Sequence, residues 1–251
     1  IIGTEKEVRS ITKELLEKCY YRYYNPSNMF LVVAGNFDKD KMLEVIKNNQ
    51  DKKEFRCIDK IELKKYNEPD KVVKDMEIVK CNTNIPKMAY TIKVNIDKFK
   101  MDERRLSIYM YVIFNLLFGD TTKFDEEAKR EGIITSSLYY NILDIGSHFV
   151  ISLINSTDKY ESLIEKIENE FKNIKFSERD LERKKKVLIS NEVFSYENIE
   201  MVNEMIIDNV IFDDRIEEDI IDIINSLNME ELMSVVSKID FDNKSIVILK
   251  K

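Results

Sequence analysis

Two stretches of this chain repeat one order of elements, and that repeat narrows the possible folds more than any other feature. SITKELLEKCYYRYYNPSNMFLVVAG, from Ser10, aligns without a gap over SLNMEELMSVVSKIDFDNKSIVILKK, from Ser226. Ser10 lies over Ser226, Glu14 over Glu230 and Leu16 over Leu232. Phe30-Leu31-Val32-Val33 lies over Ile246-Val247-Ile248-Leu249. Each copy reads as cap, helix, polar turn and apolar strand. The run Phe30 to Ala34 has no polar residue. A strand that apolar needs cover on both faces and usually a partner on each edge. The expectation is that the chain holds the end of one repeat and nearly all of a second. Phe30–Ala34 would then be the last strand of a sheet whose other strands lie outside this chain. The opening IIGTEKEVRS has neither a Met nor a signal peptide, so a fragment is expected.

The remaining pattern is α+β. Ser10 to Tyr24 is predicted helical, with Ile11, Leu15, Leu16, Cys19 and Tyr23 at helical spacing. Asn25-Pro26 ends it, because Pro disfavours a helical residue before it. Lys39 to Asn49 is a second helix, and the charged stretch 50–70 is a linker. Two domains are therefore expected, 1–66 and 67–251. In the second, Met88, Tyr90, Ile92, Val94 and Ile96 alternate with Ala89, Thr91, Lys93 and Asn95, a strand with one buried face. Leu106, Tyr109, Met110, Ile113, Phe114 and Leu117 form one helical stripe. Strands are predicted at 133–142, 146–155 and 245–249. Helices are predicted at 122–131, 158–173, 177–193, 197–211, 214–225 and 228–239.

Bulk properties remove several function classes. The net charge is −7 and the pI about 5.1, where a nucleic-acid binder would carry a basic surplus. No run of about 18 apolar residues exists, so no membrane span is expected. Cys19, Cys57 and Cys81 are odd in number and lack C-x-x-C spacing, which reads as reduced thiols in a cytoplasmic protein. The run Arg183-Lys184-Lys185-Lys186 reads as a solvated helix face. Asp213, Asp214, Glu217, Glu218 and Asp219 complement a helix start rather than a calcium loop. Tyr20, Tyr21, Tyr23 and Tyr24 read as helix packing.

IGTEKEVRSITKELLEKCYYRYYNPSNMFLVVAGNFD resembles the end of the N-terminal domain of insulinase/pitrilysin-like zinc peptidases. FGDTTKFDEEAKREGIITSSLYY resembles the Gly-x-Ser-Ser-x-Leu-Tyr region of that family's C-terminal domain. SERDLERKKKVLISNEVF and ENIEMVNEMIIDNVIFDD are similar to the helices that close it, most of all in a bacterial single-chain subgroup. The resemblance implies domains with a mixed sheet backed by helices, like those of mitochondrial processing peptidase. It also implies a zinc site of H-x-x-E-H form, which a chain with His148 as its single histidine cannot hold. The expected role is the C-terminal half of a zinc peptidase, inactive alone and without a cofactor of its own. It would complete the substrate chamber and hold peptide while an N-terminal domain carrying the zinc hydrolyses it. The alternative is an inactive family member serving as partner or scaffold to an active subunit. The family's peptide-holding Arg falls on or beside Lys129-Arg130. Its Tyr falls near Ile134, with Tyr139 and Tyr140 further on. Lys129, Arg130, Tyr139 and Tyr140 are therefore the expected substrate-binding residues. Expected partners are peptide, the catalytic domain or active subunit, and another copy of the chain through residues 1–50.

Overall fold

A computed structural model describes the chain except residues 1, 2, 56, 57, 59, 60, 63, 65, 214, 215, 217 and 218, and the side chain of Asp213. The helices are α1 (Glu5–Arg9), α2 (Lys13–Tyr23), α3 (Lys39–Gln50), α4 (Glu103–Phe118), α5 (Lys123–Arg130), α6 (Tyr160–Lys172), α7 (Glu178–Ser195), α8 (Ile199–Asp213), α9 (Ile220–Ser226) and α10 (Met229–Lys238). The strands are β1 (Met76–Lys80), β2 (Lys87–Asn95), β3 (Tyr139–Asp144), β4 (His148–Ser156) and β5 (Lys244–Lys250). The chain divides into two compact units. Unit 1 is Ile1–Tyr66 with Phe194–Glu217; unit 2 is Asn67–Val193 with Glu218–Lys251.

Unit 2 is built on one mixed sheet in the order β1-β5-β2-β4-β3, with β1 parallel to β5 and the other pairs antiparallel. Register carries one apolar row straight across it: Ile246, Tyr90, Leu153 and Tyr140 sit side by side. Side chains on a strand alternate faces, so their neighbours Val247, Ala89, Ile154 and Tyr139 form the next row on the opposite face. The first face is buried under α4, whose Leu106, Tyr109, Met110, Ile113, Phe114 and Leu117 are enclosed as their spacing predicts. Leu163, Ile167 and Phe171 of α6 and Leu232, Val235 and Val236 of α10 complete the core. Phe171 joins it edge-on to Phe114 and Phe118 and stacked on Phe241. Asp102 caps α4 by accepting from Arg105 N. Gly119 ends it, because a Cβ there would lie 2.5 Å from the Asn115 carbonyl oxygen.

The structure departs from the sequence reading in three places. Strand β3 starts at Tyr139, not Ile133. The carbonyls of Ser136 and Ser137 accept from Asn155 Nδ2, and that of Ile133 accepts from Thr157 Oγ1. Side chains have taken the groups a ladder would use. Strand β1 was not foreseen and pairs with β5 at the sheet edge. Phe30–Ala34 forms no ladder among the described residues, and Leu31 is 67% exposed. A strand is defined by its neighbour, and among the described residues none lies beside this one. The second copy of the repeat does complete its pattern, as α10 followed by β5.

Unit 1 has helices but, among its described residues, no buried apolar core. Thr4, Thr12 and Asp38 cap α1, α2 and α3 with side-chain acceptors, as their residue types dictate. Among its described residues the single buried one is Asn25, which is polar. Tyr20 stacks on Tyr24 with centroids 5.1 Å apart, and both are exposed.

Candidate functional site

The expected peptide-holding residues fall on α5 and β3 of unit 2. Lys129 and Arg130 form the last turn of α5, which Thr122 caps and Gly132, at φ 64°, terminates. Lys129 Nζ donates to Asp125 Oδ2 at 2.8 Å and to Ser137 Oγ at 2.7 Å. Asp125 is buried, and its Oδ1 has no hydrogen-bond partner. Asn155 holds the Ser136 and Ser137 carbonyls from the other side. The serine loop is thus pinned by Lys129 and Asn155 just before β3 begins. Arg130 lies exposed, 3.8 Å from Glu127.

Tyr139 and Tyr140 are adjacent on β3 and so face opposite sides. Tyr139 is 64% exposed on the face away from the helices. Tyr140 turns toward α4, where its hydroxyl accepts from Asn115 Nδ2 at 2.5 Å, and burial pushes its pKa up to about 12. Asn115 Oδ1 in turn accepts from Lys184 Nζ. Lys184 is 7% exposed, and burial with the nearby Arg183 lowers its pKa. The basic run is therefore not a solvated face throughout. Lys184 enters the structure, and Lys185 reaches Glu182 Oε1 and the Leu227 carbonyl. Sequence reasoning missed the Lys184–Asn115–Tyr140 chain. Its one signal was a polar Asn inside the apolar stretch IFNLLF of α4.

The single histidine is enclosed at the start of β4. His148 Nδ1 lies 2.8 Å from Ser147 Oγ, and Nε2 lies 3.2 Å from Asp70 Oδ1. A carboxylate can only accept, so Nε2 carries a proton. Ser147, His148 and Asp70 line up as nucleophile, base and acid would. The imidazole, however, is 1% exposed and the carboxylate lies in an exposed segment, which makes the trio a structural clasp. Around it, Lys93 Nζ donates to Glu68 Oε1 and to the Pro69 carbonyl, and Asn95 Nδ2 donates to Asp70 Oδ1. The Asn95 amide, with the smaller effect of His148, holds the Asp70 carboxyl below its usual range. Asn243 closes the clasp. Its Nδ2 donates to the Asp70 and Lys93 carbonyls, and its Oδ1 accepts from Val72 N.

Among the described residues no three His, Cys, Asp or Glu side chains converge as a catalytic zinc would require. Asp214, Glu217 and Glu218 of the acidic cluster and Cys57 lie outside the described residues. Cys19 and Cys81 are free thiols. No helix among the described residues is long and apolar enough to cross a membrane.

The family model described as "Peptidase M16 inactive domain" matches residues 10–188. The chain belongs to that family. It is 28% identical over 143 residues to the zinc protease YmfH of Bacillus subtilis, covering 56% of this chain and 33% of that protein. Its fold is similar to that of an M16-like peptidase of Alicyclobacillus acidocaldarius, with a TM-score of 0.86 at 22% identity. That match covers 99% of this chain and 60% of the other. A protease of Helicobacter pylori is similar at a TM-score of 0.83 and 16% identity, covering 100% of this chain and 61% of its own. The chain thus spans from a third to about three fifths of these proteins' lengths.

Proposed function

We propose that this chain is the non-catalytic part of a zinc-dependent peptidase: unit 1 seats a catalytic domain, and unit 2 holds the peptide that domain cleaves. The observation that carries the reading is the absence of any buried apolar side chain among the described residues of unit 1. Helices with capped ends and apolar stripes gain most of their stability from packing, and here that packing has no second half. The zinc and the H-x-x-E-H helix belong to the partner domain in this reading. For peptide holding, Arg130, held only by the exposed pair with Glu127, and Tyr139 present polar atoms to an extended chain. Lys129 and Tyr140 act behind them by fixing the serine loop and β3. Positioned donors of this kind orient a peptide against a metal-bound water supplied elsewhere.

The test is cleavage of a quenched peptide library. This chain alone should be inactive, and adding it to the separately expressed preceding domain should restore chelator-sensitive cleavage. In the full-length gene product, Arg130→Ala and Tyr139→Ala should raise KM several-fold with little change in melting temperature. A catalytic domain equally active with and without this chain would end the proposal.

A further inference from the structure

Helix α8 carries three apolar lines, interleaved with the acidic stripe Glu200, Glu204 and Asp208. Ile199, Val202, Ile206 and Val210 follow one line along it, Ile207 and Ile211 a second, and Met201, Met205 and Phe212 a third. At about 100° per residue these lines stand roughly a third of a turn apart. That is more apolar surface than the single stripe of a helix packed on one face. Yet none of its described side chains is fully buried: Val202, Met205, Ile206, Ile207 and Val210 are half-buried, Ile211 is 57% exposed and Phe212 79%. By its contacts α8 falls in unit 1, although it is distant in sequence from α1, α2 and α3. Unit 1 therefore offers apolar surface from both ends of the chain. On one side stand Leu15, Leu16, Phe30 and Leu31, and on the other Ile211 and Phe212. A soluble monomer's largest apolar patch is usually about 300–600 Å². The half-covered lines of this helix and its exposed Ile199, Met201, Ile211 and Phe212, added to the exposed Phe30 and Leu31, call for a partner.

We propose that α8 is part of the surface on which the catalytic domain docks, so that the docking surface is composite rather than confined to the N-terminal 50 residues. The inference rests on the functional reading above and adds the helix to it. The occupant is the part of the longer relatives that lies outside this chain. In the two similar structures about two fifths of the polypeptide remains once this fold is matched, enough for a domain with an apolar face of its own.

Hydrogen exchange separates the possibilities. The full-length gene product is compared with the 251-residue chain at two concentrations, with α4 as the internal reference. We expect α8 amides to exchange at least 100-fold more slowly in the full-length protein, with α4 unchanged. Phe212→Asp with Met201→Asp should reverse that protection, while Val73→Asp, at a 92% exposed position of unit 2, should not. Slowing of residues 29–33 without slowing of α8 overturns the composite surface and leaves the functional reading intact. Slowing of neither region overturns both. Slowing of α8 in the isolated chain as concentration rises makes a second copy the occupant and also overturns the proposal.

Discussion

Units 1 and 2 use the same helix-turn-strand unit and reach opposite ends. In unit 2 the helix α10 and strand β5 that follow Ser226 bury Leu232, Val235, Ile246 and Ile248. In unit 1 the helix and apolar stretch that follow Ser10 leave Leu15, Leu16, Phe30 and Leu31 exposed. Local signals are equally good in both. Thr12 caps α2 by accepting from Leu15 N, as Asn228 caps α10 by accepting from Glu231 N. The difference lies in neighbours. β5 is flanked by β1 and β2, whereas no strand lies beside Phe30–Ala34 among the described residues. Patterning chooses elements, and burial requires something to be buried against.

The largest test breaks this comparison directly. Phe114→Ala removes a fully enclosed ring from unit 2 and should cost about 3–5 kcal/mol by urea denaturation. Leu16→Ala in the isolated chain should stay within about 0.5 kcal/mol, because that side chain is already 59% exposed. With the proposed catalytic domain bound, the same Leu16→Ala should cost about 2–5 kcal/mol. Equal costs for both substitutions in the isolated chain would show that unit 1 has a core of its own.

A smaller effect belongs to the clasp that holds residues 68–72 on unit 2. Its ionic contacts are open to water on the carboxylate side only: Glu68 and Asp70 are exposed while Lys93 and His148 are buried, and water at the carboxylates screens the pairs. Asn243 is different, being buried with three hydrogen bonds to backbone groups of two segments. Asn243→Ala strands those groups and should cost about 1–3 kcal/mol, with faster exchange at Val72. Glu68→Gln should leave the unfolding midpoint where it was. A Glu68→Gln loss as large as that of Asn243→Ala would mean that charge, not the buried amide, fastens the segment.

The legible and illegible parts of this molecule follow one rule. The stripe on α4 and the alternation on β2 could be read because each side chain there faces a single environment. The end of Phe30–Ala34 could not, since a strand's partner is not written in its own residues. The start of β3 was misplaced for a related reason. Asn155 and Thr157 take the Ser136, Ser137 and Ile133 carbonyls from more than fifteen residues away. Charge was the poorest guide. Lys184 looked solvated within its basic run, yet it reaches inward to Asn115. At the candidate site the resemblance located α5 and β3. Only register could show that Tyr139 and Tyr140 face opposite sides.

The smallest effect concerns acid, and it belongs to the start of α7 in unit 2. The helix starts in unit 2 with a reciprocal cap: Ser177 Oγ donates to Asp180 Oδ2 at 2.6 Å, and Asp180 N donates to Ser177 Oγ at 3.3 Å. The Ser177 hydroxyl, opposed by slight burial and helped by the Ser177 backbone N–H, holds the Asp180 carboxyl below its usual range. Asp240 is lowered in the same direction by Lys71. A carboxyl whose folded pKa lies below its unfolded value, about 3.9 for Asp, stabilises the fold fully above that value. The contribution then fades as pH falls through the folded pKa. Unit 2 should therefore lose stability below about pH 4, by roughly 1 kcal/mol or less from the Asp180 cap. Ser177→Ala should remove most of that loss while lowering stability at neutral pH by a similar amount. Near-ultraviolet circular dichroism of the tyrosines across pH 2.5–7 (an approximate range set by that Asp reference value) measures both. A variant whose acid profile runs parallel to the parent's would show that the cap does not set the Asp180 titration.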